Sequence, residues 1–134
     1  MSTPPVTLRI PVVIDPALTG NGRAHPMKKY RLFQELKAAT MLIVRTTGPD
    51  VYPIVPWILD YTVGRPKGKQ ALDDDNIKSA GLKAIQDGIA DELGLDDRYI
   101  MIGTVTQVRD VEGLGFVEVR ISEGPLSLEK YRAA

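Results

Sequence analysis

Three consecutive aspartates, Asp73, Asp74 and Asp75, precede a segment of helical periodicity, and a second acidic pair, Asp96 and Asp97, follows it. Carboxylates from separated positions can converge on a hard divalent cation, because Mg2+ prefers oxygen donors in near-octahedral geometry at about 2.0–2.1 Å. Read at about 100° per residue, Asn76, Lys83 and Asp87 fall within roughly 40° of arc and share one helix face. Ile77, Ala80, Gly81, Ala84, Ile85, Gly88 and Ile89 occupy another arc, where they can pack on a core. Helix capping and the helix dipole account for acidic residues at a helix start. Three aspartates in a row exceed that need, and their repulsion is costly without a compensating cation. If the segment is extended, alternate side chains face opposite sides, so Asp74 points away from Asp73 and Asp75. That geometry excludes Asp74 as a direct metal ligand alongside its two neighbours.

Basic residues stand close to these carboxylates. Arg65, Lys67 and Lys69 lie immediately before the aspartates, and Arg23, His25, Lys28, Lys29 and Arg31 form a second group upstream. A phosphate backbone needs cationic side chains, and a scissile phosphate needs metal carboxylates beside them. Lys83 and Asp87 stand four residues apart, the spacing of an exposed helix salt bridge worth a few tenths of a kcal/mol. Near a reacting phosphate the same lysine could neutralise developing charge, with Asp87 orienting it. His25 is the only histidine, which excludes a multi-histidine metal site. The GRPKGKQ stretch fails as a phosphate-binding P-loop because Gln70 stands where Ser or Thr would bind Mg2+.

The pattern Asp73-Asp74-Asp75-Asn76, then Lys83 with Asp87, then Asp96-Asp97 resembles the RusA-like family of Holliday junction resolvases, endonucleases that cut branched DNA. The family motif is D-x-D-N, a helix carrying a lysine and an aspartate four residues later, and a D-D pair. A weaker match lies in Asn21 to Arg31, which looks like the family's basic loop. The resemblance implies metal ligation by Asp73, Asp75 and Asp97, with Mg2+ as cofactor and Mn2+ as a possible substitute. It implies Lys83 as the catalytic lysine, supported by Asn76 and Asp87. The spacing from D-x-D-N to the lysine exceeds that of the best-known member by about one helical turn, so Lys78 competes for the role. The local Lys83–Asp87 pattern favours Lys83. Arg23, His25, Lys28, Lys29, Arg65, Lys67 and Lys69 would contact DNA. A homodimer is also implied, since a two-fold dimer supplies the paired cuts that a four-way junction needs. Two other readings stay open: a DNA-binding module without nuclease activity, and a nuclease acting on flaps or forks.

At 134 residues the chain is expected to form one domain throughout, positions 1 to 134. The absence of cysteine excludes disulfides, thiol catalysis and cysteine-ligated metals. With 17 basic and 17 acidic residues there is no bulk attraction to DNA, so affinity must come from local clusters. No stretch reaches the roughly 18 apolar residues of a membrane helix, and the first residues do not read as a secretion signal. A soluble, cytoplasmic protein without a membrane partner is the expectation.

The elements that must position these residues follow from periodicity. Val6 to Ile14 reads as a strand with Pro11 marking an edge or bulge, and DPALTGNGRAHP as a loop. Leu32, Leu36, Ala39 and Ile43 predict an amphipathic helix from Met27 to about Thr46. Val55 to Val63 reads as a strand, GRPKGKQ as a loop, and the acidic helix runs from near Asp74 to near Gly94. Ile102 to Arg109 and Phe116 to Ser122 alternate apolar and polar residues and are expected to pair antiparallel through the DVEGLG turn. Ser127 to Arg132 would add a final helical turn or a loose tail. The order predicts a compact α+β (mixed α/β) domain with a mixed sheet of about four strands and two main helices.

Overall fold

Pro11 removes a backbone donor, and the first strand, β1, ends just before it at Val6–Ile10 rather than running on to Ile14. In the computed structural model, residues 4–15, 18, 25–66 and 81–125 are described. Their order is β1, helix α1 (Pro26–Thr47), strand β2 (Trp57–Arg65), helix α2 (Gly81–Leu93), a short 3-10 turn (Asp97–Tyr99), strand β3 (Ile100–Arg109) and strand β4 (Phe116–Glu123). The four strands form one mixed sheet in the order β1-β4-β2-β3, and with the two helices they make a single compact α+β domain.

The sheet corrects one expectation. β3 and β4 do not pair as a hairpin, because β2 lies between them, parallel to β3 and antiparallel to β4. Residues 110–115 instead step across the end of β2, a span of about two strand spacings or 9.6 Å that six residues cover easily. Asp110 builds this crossing: its carboxylate accepts the N–H groups of Glu112 (3.0 Å), Leu114 (3.2 Å) and Gly115 (2.6 Å). Its own N–H donates to the Arg65 carbonyl at 2.9 Å. Gly113 and Gly115 adopt φ of 80° and 87°, the left-handed region in which a side chain is strained. The N–H of Gly115, ahead of the other backbone donors, holds the Asp110 carboxyl below the usual carboxylate range. The β2–β3 link is a helical crossover, the connection that parallel neighbours require.

One face of the sheet carries Leu8, Ile10, Trp57, Leu59, Tyr61, Val63, Val117, Val119 and Ile121, all buried. Leu36 and Val44 of α1 and Leu82, Ile85 and Ile89 of α2 close over that face. Each buried aliphatic of this kind stabilises the fold by roughly 1.5–3 kcal/mol relative to exposure. The opposite face is polar, with Arg9 and Glu118 paired at 2.7 Å and the Arg9 guanidinium 3.8 Å above the Phe116 ring. Between β2 and β3 the register slips: Leu59 faces Ile102 but Tyr61 faces Val105, so Gly103 and Thr104 share the place opposite Asp60. Asp60 occupies the bulge and accepts both the N–H (2.8 Å) and the hydroxyl (2.9 Å) of Thr104.

The helices meet where Gly88 of α2 touches α1. A methyl group there would lie 2.8 Å from the Lys37 carbonyl oxygen and from Thr40 Cβ. Arg45 of α1 reaches Glu92 of α2 through Nε at 3.0 Å and Nη2 at 2.6 Å, and Lys37 pairs with Asp91. Among the described residues no helix is long and apolar enough to cross a membrane.

Candidate functional site

α2 ends as its sequence demands. Gly94 takes φ of 69°, and the N–H of Leu95 donates back to the Ala90 carbonyl at 2.8 Å, which closes the helix and turns the chain. Asp96 then caps the 3-10 turn, its carboxylate accepting the Arg98 N–H at 3.0 Å and lying 3.5 Å from the Arg98 guanidinium. With Asp96 engaged in the turn, its neighbour Asp97 faces α2. Lys83 Nζ donates to Asp97 Oδ2 at 3.3 Å and lies 3.2 Å from Asp87 Oδ1.

An ordinary helix pair would join Lys83 to Asp87 alone. Here one ammonium rests between two carboxylates, one from its own helix and one from a turn fourteen positions further on. Burial opposes charge on Lys83, but the hydrogen bond and charge of Asp87, followed by those of Asp97, outweigh it and hold the ammonium above its ordinary value of 10.5. Lys83 therefore stays charged between Asp87 and Asp97.

Tyr61 lies close to this cluster. It is 1% exposed on the core face of β2, and its hydroxyl finds no hydrogen-bond partner among the described residues. Burial first, and the charge of Asp87 second, push its ionisation far upward, so it remains a neutral phenol. Sequence reasoning missed Tyr61 because its place in an alternating strand marks it only as core. It also missed the Lys37–Asp91 bridge, although Asp91 stands four residues from Asp87 on the same helix and carried that signal.

The other expected site residues divide into three groups. Asp73, Asp75, Asn76, Lys78, Arg23, Lys67 and Lys69 lie outside the described residues. His25 is exposed at the start of α1, where its Nδ1 accepts the Met27 N–H at 3.1 Å and caps the helix. Lys28 is exposed and Lys29 half-buried on the first turn of α1. Arg65 ends β2 with its Nε enclosed and without a hydrogen-bond partner among the described residues, so a phosphate could reach only the outer part of its guanidinium. Among the described residues no three metal-ligating side chains converge, and Asp87 and Asp97 are brought together through Lys83. No model of a known protein family matches the chain, and no curated protein matches it.

Proposed function

We propose that the chain is a Mg2+-dependent endodeoxyribonuclease of the RusA-like type, which cuts Holliday junctions or related branched DNA and acts as a homodimer. The observation that carries this reading is the position of Lys83 between Asp87 and Asp97. Fold packing alone does not call for an ammonium held by two carboxylates at the surface, whereas phosphate chemistry calls for a lysine beside metal-binding aspartates.

The donor set suits the metal. Asp97 offers a hard oxygen ligand, and the ammonium beside it marks a place favourable to a cation. Asp97, together with Asp73 and Asp75, would hold Mg2+, with Mn2+ as a substitute. Bound there, the metal would supply Lewis acidity toward a phosphate oxygen and lower the pKa of a bound water. Asp87 would keep Lys83 charged and aimed, and Lys83 would offset charge building on the phosphate. Lys28, Lys29 and the outer guanidinium of Arg65, with Arg23, Lys67 and Lys69, would steer the DNA backbone.

A labelled synthetic four-way junction and a matched linear duplex, incubated with Mg2+ or with EDTA, test the proposal. Paired nicks confined to the junction, dependent on Mg2+ and absent in Asp75→Asn, are expected. Junction binding without cutting under Mg2+ or Mn2+ would favour a non-catalytic DNA-binding module. Preference for flaps or forks would keep the nuclease and change its substrate.

A further inference from the structure

The exposed side of α1 carries an aromatic residue that the core does not use. Tyr30 is 63% exposed and Met27 is 69% exposed, and with Gln34 and Ala38 they line an open groove of about 660 Å3 along the first turns of the helix. Their spacings of three and four residues place them on one face. Lys28, Arg31, His25 and Glu35 line the same groove. Arg31 is held only loosely, 3.8 Å from Glu35, with both side chains largely in solvent. A planar ring in the open, an adjacent thioether and two cations, only one of them offset by Glu35, form a surface suited to a flat, apolar, unpaired nucleobase attached to an anionic backbone.

The groove also connects to the candidate site. Lys37 stands seven residues after Tyr30, about 10.5 Å along the same side of α1. It bridges to Asp91 of α2 and lies within electrostatic reach of both Tyr30 and Asp87. Asp87 in turn holds Lys83. Lys37 therefore stands between Tyr30 and the Lys83 cluster, within electrostatic reach of both.

We infer that Tyr30 is a stacking platform for an unpaired base of a DNA strand whose backbone is held by Lys28 and Arg31. The inference deepens the nuclease reading and rests on it for the strand's destination, since a base held on Tyr30 would lead its strand toward Lys83. It also accounts for selectivity: a continuous duplex keeps its bases stacked on one another, whereas a branch point or single-stranded arm can offer one to a protein ring.

The test uses the full chain and DNA carrying 2-aminopurine at unpaired positions next to a branch, with binding measured in EDTA at fixed salt beside a matched duplex. Tyr30→Ala should weaken binding to the branched DNA roughly tenfold, abolish the fluorescence change of the unpaired base and leave duplex affinity unchanged. Tyr30→Phe keeps the ring and should behave as the wild type. Undiminished binding and fluorescence response by Tyr30→Ala would overturn the inference, as would failure of the wild type to prefer DNA with unpaired bases. A change in the sedimentation of the free protein on Tyr30→Ala would overturn it by assigning the groove to a second copy of the chain. A parallel cleavage reaction in Mg2+ separates the two readings. Loss of stacking in a protein that never cuts leaves the platform standing without the nuclease, and normal stacking by Tyr30→Ala in a protein that does cut leaves the nuclease without the platform.

Discussion

Lys83 is a residue whose surroundings exceed what stability asks of it. A surface lysine gains little from one carboxylate and pays side-chain entropy to hold it, yet this one is held between Asp87 and Asp97. Its raised ionisation fixes the sign of a pH test. The stability contributed by the charged cluster is fully present below the ordinary lysine value of 10.5 and is lost as pH rises through the higher value of the folded state. Urea denaturation of the wild type and Lys83→Met should therefore show a wild-type advantage near neutrality that shrinks at strongly alkaline pH. An advantage independent of pH would mean that the aliphatic stem, not the ammonium, contributes the stability.

The elements that position Lys83 depend on how closely α1 and α2 approach. Gly88 permits that approach, and Gly88→Ala should cost about 1–3 kcal/mol by overpacking against Lys37 and Thr40, read as a lower urea midpoint with an unchanged m-value. A neutral effect would show that the helices part easily and that the Lys37–Asp91 bridge does not depend on close packing. Both helices were legible in the sequence because three- and four-residue apolar spacing survives any tertiary arrangement, and the expected ends of α1 fall within a residue of Pro26–Thr47. The strands were legible as strands but their neighbours were not: alternation in β3 and β4 reports a half-buried surface and carries no information about which strand lies alongside. Asp110 and the two left-handed glycines, which take the chain across the end of β2, read as an ordinary hairpin turn until the topology shows what they span. At the site, the helical pairing of Lys83 with Asp87 followed from spacing, whereas the contact with Asp97 depends on the Gly94 turn and on Asp96 serving as a cap, neither of which periodicity encodes.

At the scale of the molecule, a two-layer domain buries one face of a four-stranded sheet beneath two helices and gathers charge on the helix layer: the Lys83 cluster, the Lys37–Asp91 and Arg45–Glu92 bridges and the basic first turns of α1. With a neutral overall charge, the proposed affinity for DNA would rest on such local gathering and should fall with added salt. The Arg45–Glu92 bridge ties α1 to α2 and has no part in the proposed chemistry, so it provides an internal control for the Lys83 cluster. Single-turnover cleavage of a four-way junction in Mg2+, with DNA fully bound, should fall by about a hundredfold or more in Asp97→Asn. Glu92→Gln, which disturbs only the Arg45 bridge, should cut at the wild-type rate. Equal rates for Asp97→Asn and the wild type, or equal losses in Asp97→Asn and Glu92→Gln, would contradict the assignment of the Lys83 cluster as the catalytic centre.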